Sequence, residues 1–126
     1  WQKYWEIRIA SENAGEFDRA EFDGIATGPT VESHVNRIND YRENKLVRVG
    51  RPSFRDPEVT VDGAGATLTA CYNSDDWTAK VDGEPFEAED KGWEPIGNRF
   101  ERQGDGTWII VANLSVDELA TLGASC

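Results

Sequence analysis

The 126-residue sequence contains no methionine, a single histidine and two cysteines, and none of its hydrophobic runs approaches the length of a membrane-spanning helix. A helix needs about 20 apolar residues to cross a bilayer, so no transmembrane segment is expected. One histidine and two thiols are too few for a zinc site, and no glycine-rich phosphate loop follows a strand, so no metal or other cofactor is expected. The missing methionine predicts a processed or trimmed chain, compatible with the loss of a signal peptide or a lipid-anchor segment.

Basic residues are also scarce. The chain has 13 Lys and Arg against 24 Asp and Glu, which gives a formal net charge of −11. This charge repels phosphate backbones and anionic lipid headgroups, so the sequence predicts no nucleic-acid partner. Five Trp, five Phe and three Tyr among 38% hydrophobic residues indicate a folded core rather than a disordered chain, and the length fits one domain.

The two cysteines lie far apart, with Cys71 inside the strand-like run 66–72 and Cys126 at the last position. Paired thiols are typical of exported proteins, and a terminal cysteine has little packing reason to exist, so we predict a disulfide and a secreted or cell-surface protein. Two unrelated thiols in a cytosolic protein are the alternative. Because side chains alternate along a strand, Thr67, Thr69 and Cys71 share one face, and the C-terminal tail must reach that face.

The first 44 residues have the spacing of helices. Apolar residues recur three or four positions apart in a first helix, which Gly15 ends. A less regular segment, 17–26, follows. A third helix begins at Pro29, and its apolar stripe continues to Tyr41 or Arg42.

From Leu46 the apolar period changes to two, which indicates β-strands. Turn sequences at 62–65, 82–83 and 103–106 predict hairpins. The sequence therefore predicts an antiparallel sheet over about 46–114, and an α+β fold in which the N-terminal helices cover one face of the sheet.

Individual parts of this sheet carry further expectations. Residues 46–54 are predicted as one strand, which Pro52 bends or places at an edge. Residues 84–97, rich in acids, are predicted as a long exposed excursion. Residues 107–114 are apolar on both faces and are predicted as a central strand. The sequence Ser-Val-Asp-Glu that follows is a capping box and predicts a helical turn over about 115–122.

Several short segments in a fixed order resemble those of small secreted actinobacterial proteins of the nuclear transport factor 2-like (cystatin-like) superfamily, some of which are classed as lipoproteins. The segments are Ala26–Val31, Val59–Gly63, Leu68–Cys71, Asp75–Trp77, Gly106–Ile110 and the terminal cysteine. The resemblance extends over nearly the whole chain. It implies one cone-shaped α+β domain over 1–126, in which a strongly curved antiparallel sheet wraps around helices and leaves a conical pocket.

The same resemblance leaves several functions open, because a fold does not determine a function. Members of this superfamily include domains of unknown function, isomerases, dehydratases, polyketide cyclases and subunits of transport or conjugation machinery. We favour a non-catalytic binding or accessory domain that is exported or surface-tethered. A small-molecule isomerase, dehydratase or cyclase is the alternative, and an interaction subunit of an envelope complex is the second alternative. A small apolar ligand in the cone and a homodimer formed through the sheet are the expected partners.

No constellation of catalytic residues stands out. His34 beside the apolar stripe, Asp23, Tyr41 and Tyr72 are weak candidates for a site in the cone, and the alternative for His34 is a core histidine with both nitrogens satisfied. Trp93 lies in a polar stretch whose residues are not expected to pack in the core, so it is a weak candidate for a ligand contact. The other large aromatic residues are expected to pack in the core.

Overall fold

The computed structural model describes residues 1–126 and has the predicted α+β class. Three α-helices, one short 3₁₀ helix (η1) and seven β-strands follow one another in the order α1 Gln2–Ala14, η1 Arg19–Phe22, α2 Pro29–Glu43, β1 Leu46–Gly50, β2 Ser53–Asp62, β3 Gly65–Asn73, β4 Trp77–Val81, β5 Glu84–Phe86, β6 Trp93–Arg102, β7 Trp108–Asn113 and α3 Val116–Thr121. None of the helices is long and apolar enough to cross a membrane.

The two main helices begin and end where the sequence predicts. Gly15 caps α1 with a φ of 75°, and its backbone N–H donates to the Ser11 carbonyl. Pro29 occupies the first position of α2, where its missing N–H is not needed. The segment between the helices contains only η1, which Asp18 caps.

The strands form two antiparallel sheets instead of the one that the sequence predicts. One sheet has the order β1-β4-β5 and the other has the order β2-β3-β6-β7. The predicted strand over 46–54 is divided because the chain leaves the first sheet at Gly50 and enters the second at Ser53. Gly50 has a φ of 88°, and a Cβ there would lie 2.5 Å from the Asp76 carbonyl oxygen, so glycine is required at this crossing.

Two other strand predictions are wrong. The predicted excursion 84–97 contains β5 and the first half of β6, because Trp93 to Gly97 pair with Asn73 to Thr69 of β3. The predicted central strand β7 is the edge of its sheet. On the outer edge of β7, the backbone of Ile110 exchanges hydrogen bonds with Ile25 and Thr27 of the segment that follows η1.

The core lies between α1, η1 and the two sheets. Its buried residues are mostly aromatic, namely Tyr4, Trp5, Ile9, Phe22, Ala26, Trp77 and Ile110. Helices that pack against antiparallel sheets are the arrangement that the resemblance in the sequence implies.

The C-terminal tail is held on the outside of the larger sheet. The predicted capping box is present, with the Ser115 hydroxyl and the Glu118 carboxylate each accepting the other residue's backbone N–H. Cys71 and Cys126 form the predicted disulfide, with Cα atoms 5.7 Å apart. Residues 123–125 line a small cavity together with Thr69 and Cys71, and the disulfide holds the tail on this threonine-bearing face of β3.

Candidate ligand-binding site

A pocket of about 340 Å³ opens between the two sheets. We call it the inter-sheet pocket. Its walls come from the end of α2, from both sheets and from the loop after β5, and include Tyr41, Leu46, Arg48, Tyr72, Trp77, Ala79, Phe86, Ala88 and Glu94. Leu46 and Arg48 alternate along β1, and Ala79 is the partner of Arg48 on β4, so one face of the smaller sheet forms this wall.

Arg48 supplies the cationic group of the pocket. Its guanidinium carbon lies 3.9 Å from the centre of the Trp77 ring. Nη2 donates to the Trp77 carbonyl oxygen at 2.6 Å, and Nη1 reaches the Tyr41 hydroxyl at 3.5 Å. Nε is buried and has no hydrogen-bond partner. No carboxylate lies within 4.0 Å of this guanidinium, so Arg48 is held in place without an ion pair.

Behind Tyr41 lies a chain of hydrogen bonds that ends in the interior. The Tyr41 hydroxyl donates to Glu12 Oε1 at 3.1 Å, and Arg8 Nε donates to Glu12 Oε2 at 2.9 Å. The Glu12 side chain is fully buried and that of Arg8 is 14% exposed. Burial is the largest single influence on the pKa of Arg8 and lowers it, but the charges of Glu12 and Tyr4 and the hydrogen bonds to them together outweigh burial and raise that pKa.

Tyr72 separates the inter-sheet pocket from a second cavity. This cavity, about 300 Å³, lies between α1, β6 and α3, and Arg8 and Trp5 line it. Burial raises the pKa of Tyr72, so its hydroxyl stays protonated at neutral pH and can donate a hydrogen bond.

Acidic residues surround the mouth of the inter-sheet pocket. Asp75 accepts the backbone N–H groups of Lys91 at 2.9 Å and of Gly92 at 3.2 Å, and so holds the loop that precedes β6. Glu89, Asp90 and Glu94 also line the pocket. No group of three or more His, Cys, Asp or Glu side chains is arranged to hold a metal ion.

The structure places His34 away from the pocket, in the packing between α1 and α2. The residue is 0% exposed, and its ring contacts Phe17 and Phe22. Arg37 has only donors, so His34 Nδ1 accepts from it at 2.8 Å and Nε2–H donates to the Ser11 hydroxyl at 2.7 Å. Burial, followed by the charges of Arg37 and Arg8, lowers the pKa of His34 to about 3.

The remaining candidates are dispersed. Tyr41 and Tyr72 both line the inter-sheet pocket. Asp23 is exposed at the end of η1 and lines neither cavity. Trp93 is the first residue of β6, where its ring lies under Arg55, with the guanidinium carbon 4.1 Å from the ring centre.

Sequence reasoning missed the charged residues of the interior. Glu12 follows Trp5 and Ile9 at helical spacing, so a carboxylate on the apolar side of α1 was a signal of a buried partner. Arg48 alternates with Leu46, which was a signal that its guanidinium faces inward. Because 29% of the residues are charged, the sequence did not distinguish these two charged residues from the exposed ones.

No family model matches the sequence, and no curated protein matches it. Among solved structures, the intermembrane space region of the chloroplast protein ARC6 superposes with a TM-score of 0.54 at 12% identity, covering 90% of this chain and 88% of that chain. A protein from Catenulispora acidiphila gives a TM-score of 0.51 at 12% identity, covering 96% of this chain and 91% of that chain. A Catenulispora acidiphila structure in complex with S-DNPA gives the same TM-score and identity, with 90% and 87% covered. At such identities the similarity shows a shared fold only.

Proposed function

We propose that this protein is a non-catalytic binding or accessory domain that holds a small organic ligand in the inter-sheet pocket. One observation carries the proposal. A pocket of about 340 Å³ combines aromatic walls with an arginine, Arg48, that has no ion pair. Ligand sites are concave, mostly apolar and supplied with a few polar groups that fix orientation, and the inter-sheet pocket has these properties.

Binding is favoured over catalysis because the acids that line the pocket lie around its mouth, and His34, Asp23 and Glu12 do not line it. His34 is sealed in the helix packing, and Asp23 is exposed elsewhere. The Glu12 carboxylate is bonded to Arg8 and Tyr41 and is fully buried. A general base must lie within hydrogen-bond reach of the proton that it removes, and none of these three groups is placed to do so.

The disulfide supports an extracytoplasmic location. Cys71 and Cys126 are bonded, and such bonds persist in oxidising compartments. Export, a lipid anchor and an actinobacterial source are parts of this proposal. Intact mass without reductant is its first measurement, and two free thiols in freshly purified protein would remove its main support.

The binding proposal is tested by titrating ¹⁵N-labelled protein with a set of monocyclic and bicyclic aromatic compounds, some neutral and some charged. Binding in the inter-sheet pocket should shift the amide signals of Thr78, Ala79 and Phe86. The variant Ala79→Leu fills the pocket and should abolish these shifts. Ala120→Leu makes the same change on an exposed face of α3 and should leave them unchanged. A set that shifts no pocket amide counts against the proposal.

An isomerase, dehydratase or cyclase is the second candidate, and one observation favours it. Tyr41 and Tyr72 meet at one pocket, and the Glu12 carboxylate lies directly behind Tyr41. Tyr41→Phe separates this candidate from a binding role. It should leave ligand affinity within a few-fold if the site only binds, and should abolish any turnover if Tyr41 transfers a proton.

An interaction subunit with dimerisation through the sheet is the third candidate. Val59 and Val61 are 62% and 61% exposed on β2, which is an edge strand. Sedimentation equilibrium at rising concentration tests it. Wild type should dimerise and Val61→Lys should not, and a wild type that is monomeric at high concentration rules out this candidate.

A further inference from the structure

The ligand chemistry follows from the state of Arg48, and this step rests on the function proposed above. Arg8, Arg19, Arg51, Arg55 and Arg99 each have a carboxylate within 4.0 Å. Arg48 has none, although the chain carries 24 acids and several of them line the same pocket. An arginine that contacts none of the carboxylates of its own pocket is available to an anion from outside.

The hydrogen bonds of Arg48 leave the guanidinium incompletely satisfied. Of its five N–H donors, one on Nη2 is used by the Trp77 carbonyl and one on Nη1 reaches the Tyr41 hydroxyl at the limit of a hydrogen bond. Nε is out of contact with water and has no acceptor. The second N–H of Nη1 and that of Nη2 have no acceptor in the protein, so they are the donors left for a ligand.

The aromatic residues fix the position of the guanidinium. Its planar group lies over the Trp77 indole, and Trp77 is itself 1% exposed, so the plane cannot tilt freely. Phe86, by contrast, is 56% exposed at the mouth of the pocket, and Ala79 beside it leaves space. A flat ring can therefore lie against Phe86 while its charged end points towards Arg48.

The acids of the pocket limit the charge of the ligand. Asp75, Glu89, Asp90 and Glu94 line the pocket together with two cations, Arg48 and Lys91. A dianion such as a phosphate monoester meets this excess of carboxylates with twice the repulsion of a monoanion. A volume of about 340 Å³ is at the small end of ligand sites, which suits one or two fused rings.

We infer that the inter-sheet pocket takes a small aromatic carboxylate, with the carboxylate on Arg48 and the ring between Phe86 and Tyr72. Tyr72 is a protonated hydroxyl at this position and can donate a second hydrogen bond to the ligand. Tyr41 positions Arg48, since its hydroxyl accepts from Arg48 and donates to Glu12.

Three probes of one shape test this inference: 2-naphthoate, 2-naphthamide and 2-naphthyl phosphate. Their dissociation constants are measured by isothermal titration calorimetry, and their location by ¹⁵N amide shifts. Charge-assisted hydrogen bonds are about twice as strong as neutral ones, so naphthoate should bind about tenfold tighter than naphthamide. The phosphate should bind no tighter than naphthoate. Naphthamide binding as tightly as naphthoate, or the phosphate binding tighter, overturns the inference.

Two matched variants locate the effect. Arg48→Met should bring naphthoate down to the affinity of naphthamide. Arg102→Met removes an exposed arginine that lies beside a different indole, that of Trp108, and should keep the full preference. Retention of the preference in Arg48→Met overturns the inference.

A measurement on the wild type covers the case in which Arg48→Met does not fold. The Arg48 Nε–H signal in a ¹⁵N spectrum should move on addition of naphthoate and stay in place with naphthamide. An Nε–H signal that naphthoate leaves unmoved overturns the inference. If both probes bind in the pocket with equal affinity, the inference fails and the binding function stands, whereas both fail if neither probe binds there.

Discussion

Replacement of Glu12 by Gln should lower the free energy of unfolding by about 3 kcal/mol, because it leaves Arg8 as an unpaired charge in the interior. The Glu12 side chain is fully buried and that of Arg8 is 14% exposed, with 2.9 Å between Nε and Oε2. Breaking such a pair costs about 3–5 kcal/mol in other proteins. Gln keeps an acceptor for the Tyr41 hydroxyl, so the lower end of that range applies.

The same helix provides a matched control. Glu6 of α1 pairs with Arg51 at 2.7 Å, but these two side chains are 61% and 62% exposed. Exposed pairs contribute about 0–1 kcal/mol, since water solvates each charge when the other is removed. Glu6→Gln is thus the same chemical change at a similar distance and should cost less than about 1 kcal/mol. The difference between the two variants measures the effect of burial alone.

Urea unfolding followed by circular dichroism gives both values, provided that the slope with denaturant is unchanged. A double-mutant cycle with Arg8→Met then separates the pair from its surroundings. The double variant should be more stable than Glu12→Gln, because it removes the unpaired charge. The reasoning about a buried charge is wrong if Glu12→Gln lowers the free energy of unfolding no more than Glu6→Gln does. It is also wrong if the loss in the double variant equals the sum of the losses in Glu12→Gln and Arg8→Met.

Three further predictions concern the disulfide, the close approach of β6 to β3 at Gly97, and pH. Replacing both Cys71 and Cys126 by Ser removes a disulfide between residues 55 apart in the sequence. The unfolded chain is then less constrained, so the free energy of unfolding should fall by about 4 kcal/mol. A loss below about 1 kcal/mol in chemical unfolding would contradict this. Gly97→Ala places a Cβ 2.5 Å from the Leu68 carbonyl oxygen and should lower the free energy of unfolding by about 1–3 kcal/mol. Gly104→Ala places its Cβ in open space and should leave the stability measured by thermal unfolding nearly unchanged. Equal effects of the two variants would refute the steric argument. The unfolded chain protonates His34 below about pH 6.5 and the folded chain only below about pH 3, so stability should fall by about 1.4 kcal/mol per pH unit through that window. Between pH 7 and 5.5, where few carboxylates titrate, the free energy of unfolding of His34→Gln should fall less with pH than that of the wild type. Equal pH dependence in the two proteins would contradict the assignment to His34.

The helices could be predicted from the sequence because their signals are local. Gly15 needs the left-handed backbone that ends α1, Pro29 fits only the first turn of α2, and the Ser115 capping box acts within four residues. None of these depends on a distant part of the chain. The hairpin turns were predictable for the same reason, since a turn is fixed by the few residues that form it.

The order of the strands could not be predicted, because it depends on long-range contacts. The apolar faces of β7 suggested a central strand, but β7 is an edge strand whose outer side bonds only to the segment that follows η1, and no local pattern records this contact. Trp93 was assigned to an exposed excursion because its neighbours are acidic. Those acids lie at the pocket mouth and in the preceding loop, while the backbone from Trp93 onward completes a sheet ladder with β3.

The candidate site could not be predicted from the sequence for a related reason. The sequence gives the amount of charge, but the location of the buried charges depends on the fold. The net charge of −11 predicts repulsion of phosphate backbones and anionic lipid headgroups, yet the interior next to the pocket holds Arg8, Arg37 and Arg48 against one carboxylate, that of Glu12. Exposed acids are screened by salt within about 10 Å, whereas buried charges are screened much less. We therefore expect the surface to repel an extended polyanion such as nucleic acid, which must contact many exposed groups at once. A single carboxylate that enters the pocket meets mainly the guanidinium of Arg48, so an acidic protein can exclude nucleic acid and still select a small organic acid.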